Sequence, residues 1–282
     1  MTSPLLTIIT VNLNNREGLQ RTIDSVVEQT FTDYEWIVID GGSTDGSREL
    51  IEQYADHFTY WVSEPDKGIY NAMNKGIAHA KGDWLQFLNS GDWLAEKDVL
   101  NNVFSQRLKG DIVYGNYYHC YGKEMVPVEY SSALSFLTLY YTAIPHPSSF
   151  IKRTVLEQRP YNEEYKIVSD WEFFLECALK GMKFSHIDTF VSCYDNGGIS
   201  SSNRTKVLEE RSMIIERLVP QCIQKDMEQL NGLKVAFSDG QLSEIDALRK
   251  KSRLMHRIVT FDIWVLKIVD KISFRKKRKN ED

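Results

Sequence analysis

Ile37-Val38-Ile39-Asp40-Gly41-Gly42-Ser43-Thr44-Asp45-Gly46-Ser47 decides the fold. A β-branched run stops on a carboxylate, and glycines and hydroxyls lead from it into a helical pattern. Such a run reads as a buried strand. Its glycines permit a tight turn and a close backbone approach, and the helix that follows turns its first N–H groups toward an anion. The same residues also fit an ordinary βα turn capped by Ser, Thr and Asp. Working outward, strands are predicted at 5–11 (LLTIITV), 59–62 (TYWV), 84–88 (WLQFL) and 111–114 (DIVY). Between them Leu19, Ile23, Val26 and Val27 keep helical spacing. So do Ile69, Ala72, Met73, Gly76, Ile77 and Ala80, and Val99, Leu100, Val103 and Phe104 begin a third helix. Strands alternating with helices predict an α/β fold with βαβ units, a mainly parallel sheet and ligands at the carboxyl ends of the strands. One more helix is expected at 171–180 and a final strand near 187–194.

The chain has 282 residues, 42% hydrophobic and 26% charged, which is enough for a sizeable core and excludes wholesale disorder and a disulfide mini-scaffold. That length suits one large domain, or one domain with an appendage. Cys120, Cys177, Cys193 and Cys222 form no C-x-x-C pair, so they read as reduced cysteines of a cytoplasmic protein without a zinc site. The opening residues MTSPLLTIITVNLNN lack the basic start of a secretion signal, and no run of about 18 apolar residues occurs to span a bilayer. The net charge of −5 argues against a nucleic-acid partner. Residues 250–282 depart from that balance, with 11 basic and 4 acidic residues, and predict an anionic partner.

Polar clusters stand where the strands run out. The first strand ends through Thr10, Asn12 and Asn14, and the second through Asp40, Gly42 and Ser43. A carboxylate at the position of Asp40 can accept from a nucleobase imide or a ribose hydroxyl. Ser90, Gly91 and Asp92 follow the fourth strand. Asp92 there suits Mg²⁺ or Mn²⁺, which take oxygen donors and bind through one or two carboxylates plus substrate phosphates. S-G-D is also a common turn. In SEPDKGIYNAMNKGI (63–77), Asp66 and Lys67 can address a pyrophosphate or ribose, and Asn71 lies in the helix that follows; a proline-led helix entry with solvated charges fits as well. Ser169-x-x-Glu172 reads as a capping box, leaving Asp170 in the first helical turn. The helix dipole would keep Asp170 ionised, as a general base requires, and simple dipole pairing accounts for it equally. His146, between two prolines, is either packing or a hydrogen-bond donor, and the glycines of 194–200 suit a loop that orders over substrate.

Taken together, these clusters resemble the inverting family-2 glycosyltransferases of the GT-A fold. The resemblance covers about residues 5–200 and rests on TIITVNLNN, IVIDGGSTDGS, EPDKGIYNAMNKGI, WLQFLNSGDWL, IPHPSSF and SDWEFFLECALKG in that order. It implies a nucleotide-sugar half at about 1–115, an acceptor half at about 116–202 and a helical extension at 203–282. It further implies a donor, by default a UDP-sugar, bound by Thr10, Asn12, Asn14, Asp40, Gly42, Ser43, Asp66, Lys67, Asn71, Ser90 and Gly91. Asp92 would hold Mn²⁺ or Mg²⁺, Asp170 would be the catalytic base, and His146, Trp171 and Ser200 would lie on the acceptor or diphosphate side. Three positions differ from the family pattern: Gly41 stands where a second aspartate is usual, Ser90 replaces the first aspartate of D-x-D, and the E-D pair near the base is here Ser169-Asp170. The Q-x-x-R-W signature of processive synthases does not occur, so one sugar per encounter is expected.

In the tail, Ile258, Phe261, Trp264, Val265, Ile268 and Ile272 recur at helical steps and FRKKRK follows (274–279). This pattern predicts a helix in an anionic membrane interface at the cytoplasmic face, and hence a lipid-linked glycan acceptor in surface polysaccharide synthesis. A helix docked on the protein's own core is the alternative. Two other functions are compatible with the residues: a nucleotide-sugar-binding scaffold, and a sugar nucleotidyltransferase, for which the Gly-rich basic N-terminal signature is missing.

Overall fold

The structure, a computed structural model, describes residues 3–122, 124–130, 134–195 and 203–238, with side chains as far as residue 230. In chain order the elements are β1 (Leu6–Asn12), α1 (Arg16–Val27), β2 (Tyr34–Asp40), α2 (Ser47–Gln53), β3 (Tyr60–Ser63), α3 (Ile69–His79), β4 (Trp84–Phe87), β5 (Trp93–Leu94) and α4 (Val99–Ser105). They continue as β6 (Ile112–Tyr121), β7 (Glu124–Val128), α5 (Phe136–Tyr141), β8 (Ser149–Lys152), α6 (Arg153–Gln158), α7 (Ser169–Leu179), β9 (Phe184–Asp195), α8 (Arg204–Leu218) and α9 (Gln221–Ser238). Two compact units divide at Ile214 and Ile215.

In the first unit the described strands form one sheet in the order β3-β2-β1-β4-β8-β6-β9-β5, with β7 paired to β6. β3, β2, β1 and β4 are mutually parallel, as the βαβ pattern predicts. Beyond β4 the sheet is mixed: β8 runs antiparallel to both β4 and β6, β6 and β9 are parallel, and β5 is antiparallel to β9. β1 is buried along its whole length, because strands flank it on both edges and helices cover both faces. Leu6 and Ile8 share a core cluster with Leu19, Ile23 and Val26 of α1 and with Trp36 and Val38 of β2. α3 comes closest at Gly76, where a Cβ would stand 2.5 Å from Ile9 Cγ2. Fully burying one such Ile or Leu side chain stabilises by about 1.5–3 kcal/mol.

Register positions the site. Asn12 pairs with Asp40 and Asp40 with Ser63, so three parallel strands end on one rung. Because β8 is antiparallel to β4, with Trp84 opposite Lys152 and Leu85 opposite Ile151, the chain entering β8 meets the chain leaving β4. The 3-10 turn His146–Ser148 precedes β8, and Asn89 to Asp92 follow β4.

In the second unit, Gln224 Nε2 donates to Val219 O at 2.7 Å and Ile215 O at 3.3 Å, satisfying carbonyls that the end of a helix leaves open. No helix among the described residues is long and apolar enough to cross a membrane. The amphipathic segment expected at 250–274 and the basic run after it lie outside the described residues.

Candidate active site

The floor of the site is the Asn12–Asp40–Ser63 rung. Asp40 has no solvent exposure. Its carboxylate accepts from Asn12 Nδ2 (2.7 Å), Ser43 Oγ (2.5 Å), Ser63 Oγ (2.6 Å), Ser43 N (2.9 Å) and Gly42 N (3.2 Å). Burial pushes this carboxyl up, but the hydrogen bonds from Ser43, Ser63 and Asn12 outweigh it and leave Asp40 below the usual carboxylate range. Its oxygens are engaged inside the protein, where they shape the β2–α2 loop. Gly42 turns that loop with φ of 81°. Ser43 Oγ also accepts from Asn14 N at 2.8 Å, and Asn14 Oδ1 accepts from Thr44 N at 2.8 Å, which ties the first two strand-end loops together. Thr10 is corrected. It is fully buried and accepts from Trp36 Nε1 at 3.0 Å, so it lies in the core rather than lining a pocket.

A second carboxylate arrives from elsewhere. A Cβ on Gly41 would stand 2.6 Å from Asp66 Oδ2. The side chain of Asp66, whose Oδ1 accepts from Gly68 N at 2.8 Å, thus fills the space a second aspartate after Asp40 would use. Lys67 is exposed. Asn71 is drawn away from the donor role expected of it: Nδ2 donates to Glu163 Oε2 at 2.9 Å, and Oδ1 accepts from Lys67 N at 3.2 Å. Asn74 Nδ2 reaches Glu163 Oε1 and Tyr161 O, both at 2.9 Å, so the two asparagines bracket the segment that leads to α7.

Asp170 occupies the first turn of α7. Oδ1 accepts from Tyr70 OH at 2.9 Å, and that hydroxyl also lies 2.7 Å from Ile167 O. Oδ2 lies 3.2 Å from His146 Nδ1. On the far side of the ring, His146 Nε2 lies 2.9 Å from Asn89 Nδ2 and 3.9 Å from Asp92 Oδ2. With the Asn89 amide donating to Nε2, the ring proton is assigned to Nδ1 and donates to Asp170. Burial pushes the Asp170 carboxyl up, yet His146, Tyr70 and the Trp171 N–H outweigh it and hold it below the ordinary value. His146 is the converse case: burial disfavours its cation, while Asp170 and Asp92 more than compensate and raise its pKa. The result is an ionised carboxylate held by two side-chain donors and the Trp171 N–H.

The capping box does not form. Ser169 is the first helical residue, its Oγ is buried without a partner, and Glu172 pairs with Arg159 Nη2 at 3.1 Å. α8 instead holds the loop that leads into the helix. Glu210, 2% exposed, accepts from the N–H groups of Lys166 (2.9 Å), Ile167 (3.0 Å) and Val168 (3.3 Å), immediately before Asp170. Trp171 is also a correction. It is 2% exposed and donates from Nε1 to Leu139 O at 2.6 Å, so its indole is a packing group. Ser200 lies outside the described residues.

Asp92 is buried, with Oδ1 accepting from Asp195 N at 3.2 Å. Burial pushes its carboxyl up to about 7, against a downward pull from His146. Asn89 Oδ1, in the same turn, is buried without a hydrogen-bond partner. A buried carboxylate short of positive charge beside an orphaned carbonyl oxygen fits a hard divalent cation that takes its other ligands from water and substrate phosphates. Among the described residues no three His, Cys, Asp or Glu side chains form a ready-made cage. Gly91, with φ of 107°, and Ser90 make the turn, and Asn15 Nδ2 holds it by donating to Ser90 O at 2.9 Å. Sequence reasoning assigned no role to Tyr70 or Glu210. Tyr70 adjoins the apolar stripe of α3 and Glu210 lies in a charged helix, and neither context carries a functional signal.

Comparison with known proteins bears on this geometry. Residues 7–170 match the family described as Glycosyl transferase family 2. An uncharacterised glycosyltransferase of Mycobacterium tuberculosis is 37% identical over 186 residues, 64% of this chain and 71% of that protein. A PGL/p-HBAD biosynthesis glycosyltransferase of the same species is 29% identical over 228 residues, 77% of this chain and 88% of the relative. Among solved structures, S. aureus TarS 1–349 in complex with UDP-GlcNAc superposes with a TM-score of 0.63 at 18% identity, covering 87% of this chain and 80% of that one. The mannosyltransferase PcManGT from Pyrobaculum calidifontis, in complex with GDP-Man and Mn²⁺, gives 0.60 at 14% identity, covering 94% and 81%. Both likenesses are of fold, and the sheet with its flanking helices is of the GT-A type. With strand-end carboxylates in place and the family match spanning more than half its length, the chain belongs to glycosyltransferase family 2.

Proposed function

We propose that this chain is an inverting glycosyltransferase that moves one sugar per encounter from a nucleotide-sugar donor to an acceptor hydroxyl, with Asp170 as the general base. The observation that carries this reading is the ionised Asp170 carboxylate, held by Tyr70 and His146 and linked through His146 to Asp92. Asp170 takes the proton of the acceptor hydroxyl. The oxygen so freed attacks the anomeric carbon, and the bond to the diphosphate breaks on the opposite face, which inverts the centre. Tyr70 and His146 orient the carboxylate and keep it charged until the acceptor arrives. Asp92, with Asn89 beside it, would hold Mn²⁺ or Mg²⁺, whose charge when bound offsets that of the departing nucleoside diphosphate.

The donor half is assigned to residues 1–115, with Asp66 and the Gly42–Ser43 loop at its rim, the acceptor half to 116–202, and the extension to 203–282. A UDP-sugar is the first donor to test, in keeping with the UDP-GlcNAc complex of the TarS fold relative; the GDP-Man complex of PcManGT makes guanosine the second. A lipid-linked glycan at the cytoplasmic membrane face is the proposed acceptor. The basic tail and the glycolipid-pathway name of a relative support it.

Thermal unfolding with UDP-, GDP- and TDP-sugars, with and without Mn²⁺ or Mg²⁺, tests the donor site. A ligand at 100 times its Kd stabilises by about 2.7 kcal/mol. A shift for one nucleotide that needs the metal is expected; no shift for any of them overturns the reading. With that donor, Asp170→Asn should lower the transfer rate by roughly 10²–10⁴-fold while donor affinity stays unchanged.

A further inference from the structure

Asn15, Gly18, Thr22 and Ser25 recur at three- and four-residue steps, so they form one stripe along α1 beside the apolar stripe of Leu19, Ile23 and Val26. Gly18 and Thr22 are buried. Burying polar groups in a helix face costs free energy unless each meets a partner. Here the partners are the backbone groups of the segment that carries Asp92.

Thr22 is the centre of this grip and has no solvent exposure. Its Oγ1 accepts from Gly91 N at 3.1 Å and lies 2.7 Å from Asp92 O. A threonine inside a helix ordinarily donates to the carbonyl one turn back, and Gly18 O lies at 3.1 Å for that bond. The hydroxyl has one proton, which is assigned to the nearer acceptor, Asp92 O. One hydroxyl thus joins the N–H before Asp92 to the carbonyl after its Cα. The residues on either side of Thr22 extend the hold. Asn15 Oδ1 accepts from Gly18 N at 3.2 Å, which caps α1, while Nδ2 donates to Ser90 O at 2.9 Å. A Cβ on Gly18 would collide with that amide. Ser25 Oγ accepts from Leu94 N at 3.2 Å.

We propose that Thr22 is a positioning residue of the cation site, whose hydroxyl fixes the Gly91–Asp92 backbone and thereby the direction of the Asp92 carboxylate. The proposal rests on the reading of Asp92 as the ligand of a divalent cation. Mg²⁺ in particular demands near-ideal geometry, so a ligand that swings with its turn binds it poorly. Asp92 is the one carboxylate of the Ser90-Gly91-Asp92 turn, so no second acid in the turn makes up for a misdirected first.

The test titrates Mn²⁺ into the full chain at a fixed UDP concentration and reads the bound ion by electron paramagnetic resonance. Thr22→Val keeps the shape but sets a methyl against Gly91 N and Asp92 O. It should bind Mn²⁺ roughly 10–100-fold more weakly, the usual loss when a group that orients a metal ligand is removed. Thr22→Ser keeps the hydroxyl and should bind as the original chain does. Ile23→Val, a fully buried position on the same helix, lowers stability without touching the turn and should leave the affinity unchanged. If Thr22→Val does not fold, Thr22→Ser against Thr22→Ala makes the same comparison, since the two differ by the hydroxyl alone. Unchanged affinity in Thr22→Val, or an equal loss in Ile23→Val, overturns the proposal and leaves Asp92 as the ligand. Asp92→Asn separates the two readings: if it binds Mn²⁺ as tightly as the original chain, or if the original chain binds none, both fall.

Discussion

Asp170 shows how two side chains from distant parts of the chain tune one acid. Because Tyr70 and His146 donate to it, its pKa lies below the ordinary value. Transfer should rise with pH as Asp170 ionises. Tyr70→Phe removes one donor, so the acidic limb of the kcat/KM profile should move to higher pH. An unchanged limb, read from rates across the acid range with donor held constant, would remove Tyr70 from this role. Asp40 makes a different prediction, about stability. Its folded pKa is depressed, so its contribution is fully present above the unfolded value of about 3.9 and is lost as pH falls through the folded value. Asp40→Asn sets an amide against the N–H of Gly42 or Ser43, at a cost of about 1–3 kcal/mol per unsatisfied group near neutral pH. Urea midpoints should show the gap between the two proteins narrowing on acidification.

At the scale of elements, α7 owes the start of its first turn to α8. Glu210 accepts three hydrogen bonds from the residues just before α7, where the sequence predicts a capping box of Ser169 and Glu172 instead. Glu210→Ala leaves those N–H groups without their partner and should destabilise by about 1–3 kcal/mol in urea unfolding. The rate of transfer should fall with it, since the loop carrying the base loosens, while UDP-sugar affinity measured by calorimetry remains. Loss of donor affinity in equal measure would mean that α8 supports the whole first unit rather than the base. The direction of β8 matters as much. Had it continued the parallel pattern of β1 to β4, His146 would enter at the opposite end of the strands from Asn89 and Asp92.

For the whole molecule, the charge division sets an expectation of its own. The body is acidic and the tail basic, and the tail prediction is independent of the active site. Deleting residues 250–282 should abolish co-sedimentation with anionic vesicles at low salt and leave donor binding intact. Equal sedimentation of the shortened chain would place membrane contact elsewhere. Each basic residue near such a surface contributes about 1 kcal/mol, so the effect should weaken as salt screens it.

By itself the sequence determined the strand–helix alternation, the parallel half of the sheet, and the placing of Asp92 and Asp170 at the ends of elements, because periodicity and strand-end chemistry are local. It also carried enough ordered motifs to identify the family. The tertiary structure decided what surrounds those residues. Asp40 marks the end of β2 in the sequence, but only the structure shows its oxygens accepting from Ser43 and Ser63 while Asp66, from another connection, fills the space at Gly41. Asp170 is held by partners 24 and 100 residues away, and the loop before its helix is held by Glu210, 42 to 44 residues downstream of the groups it bonds. Sheet register, the antiparallel entry of β8 and the docking of α8 create those meetings, and none of them leaves a periodic mark in the chain.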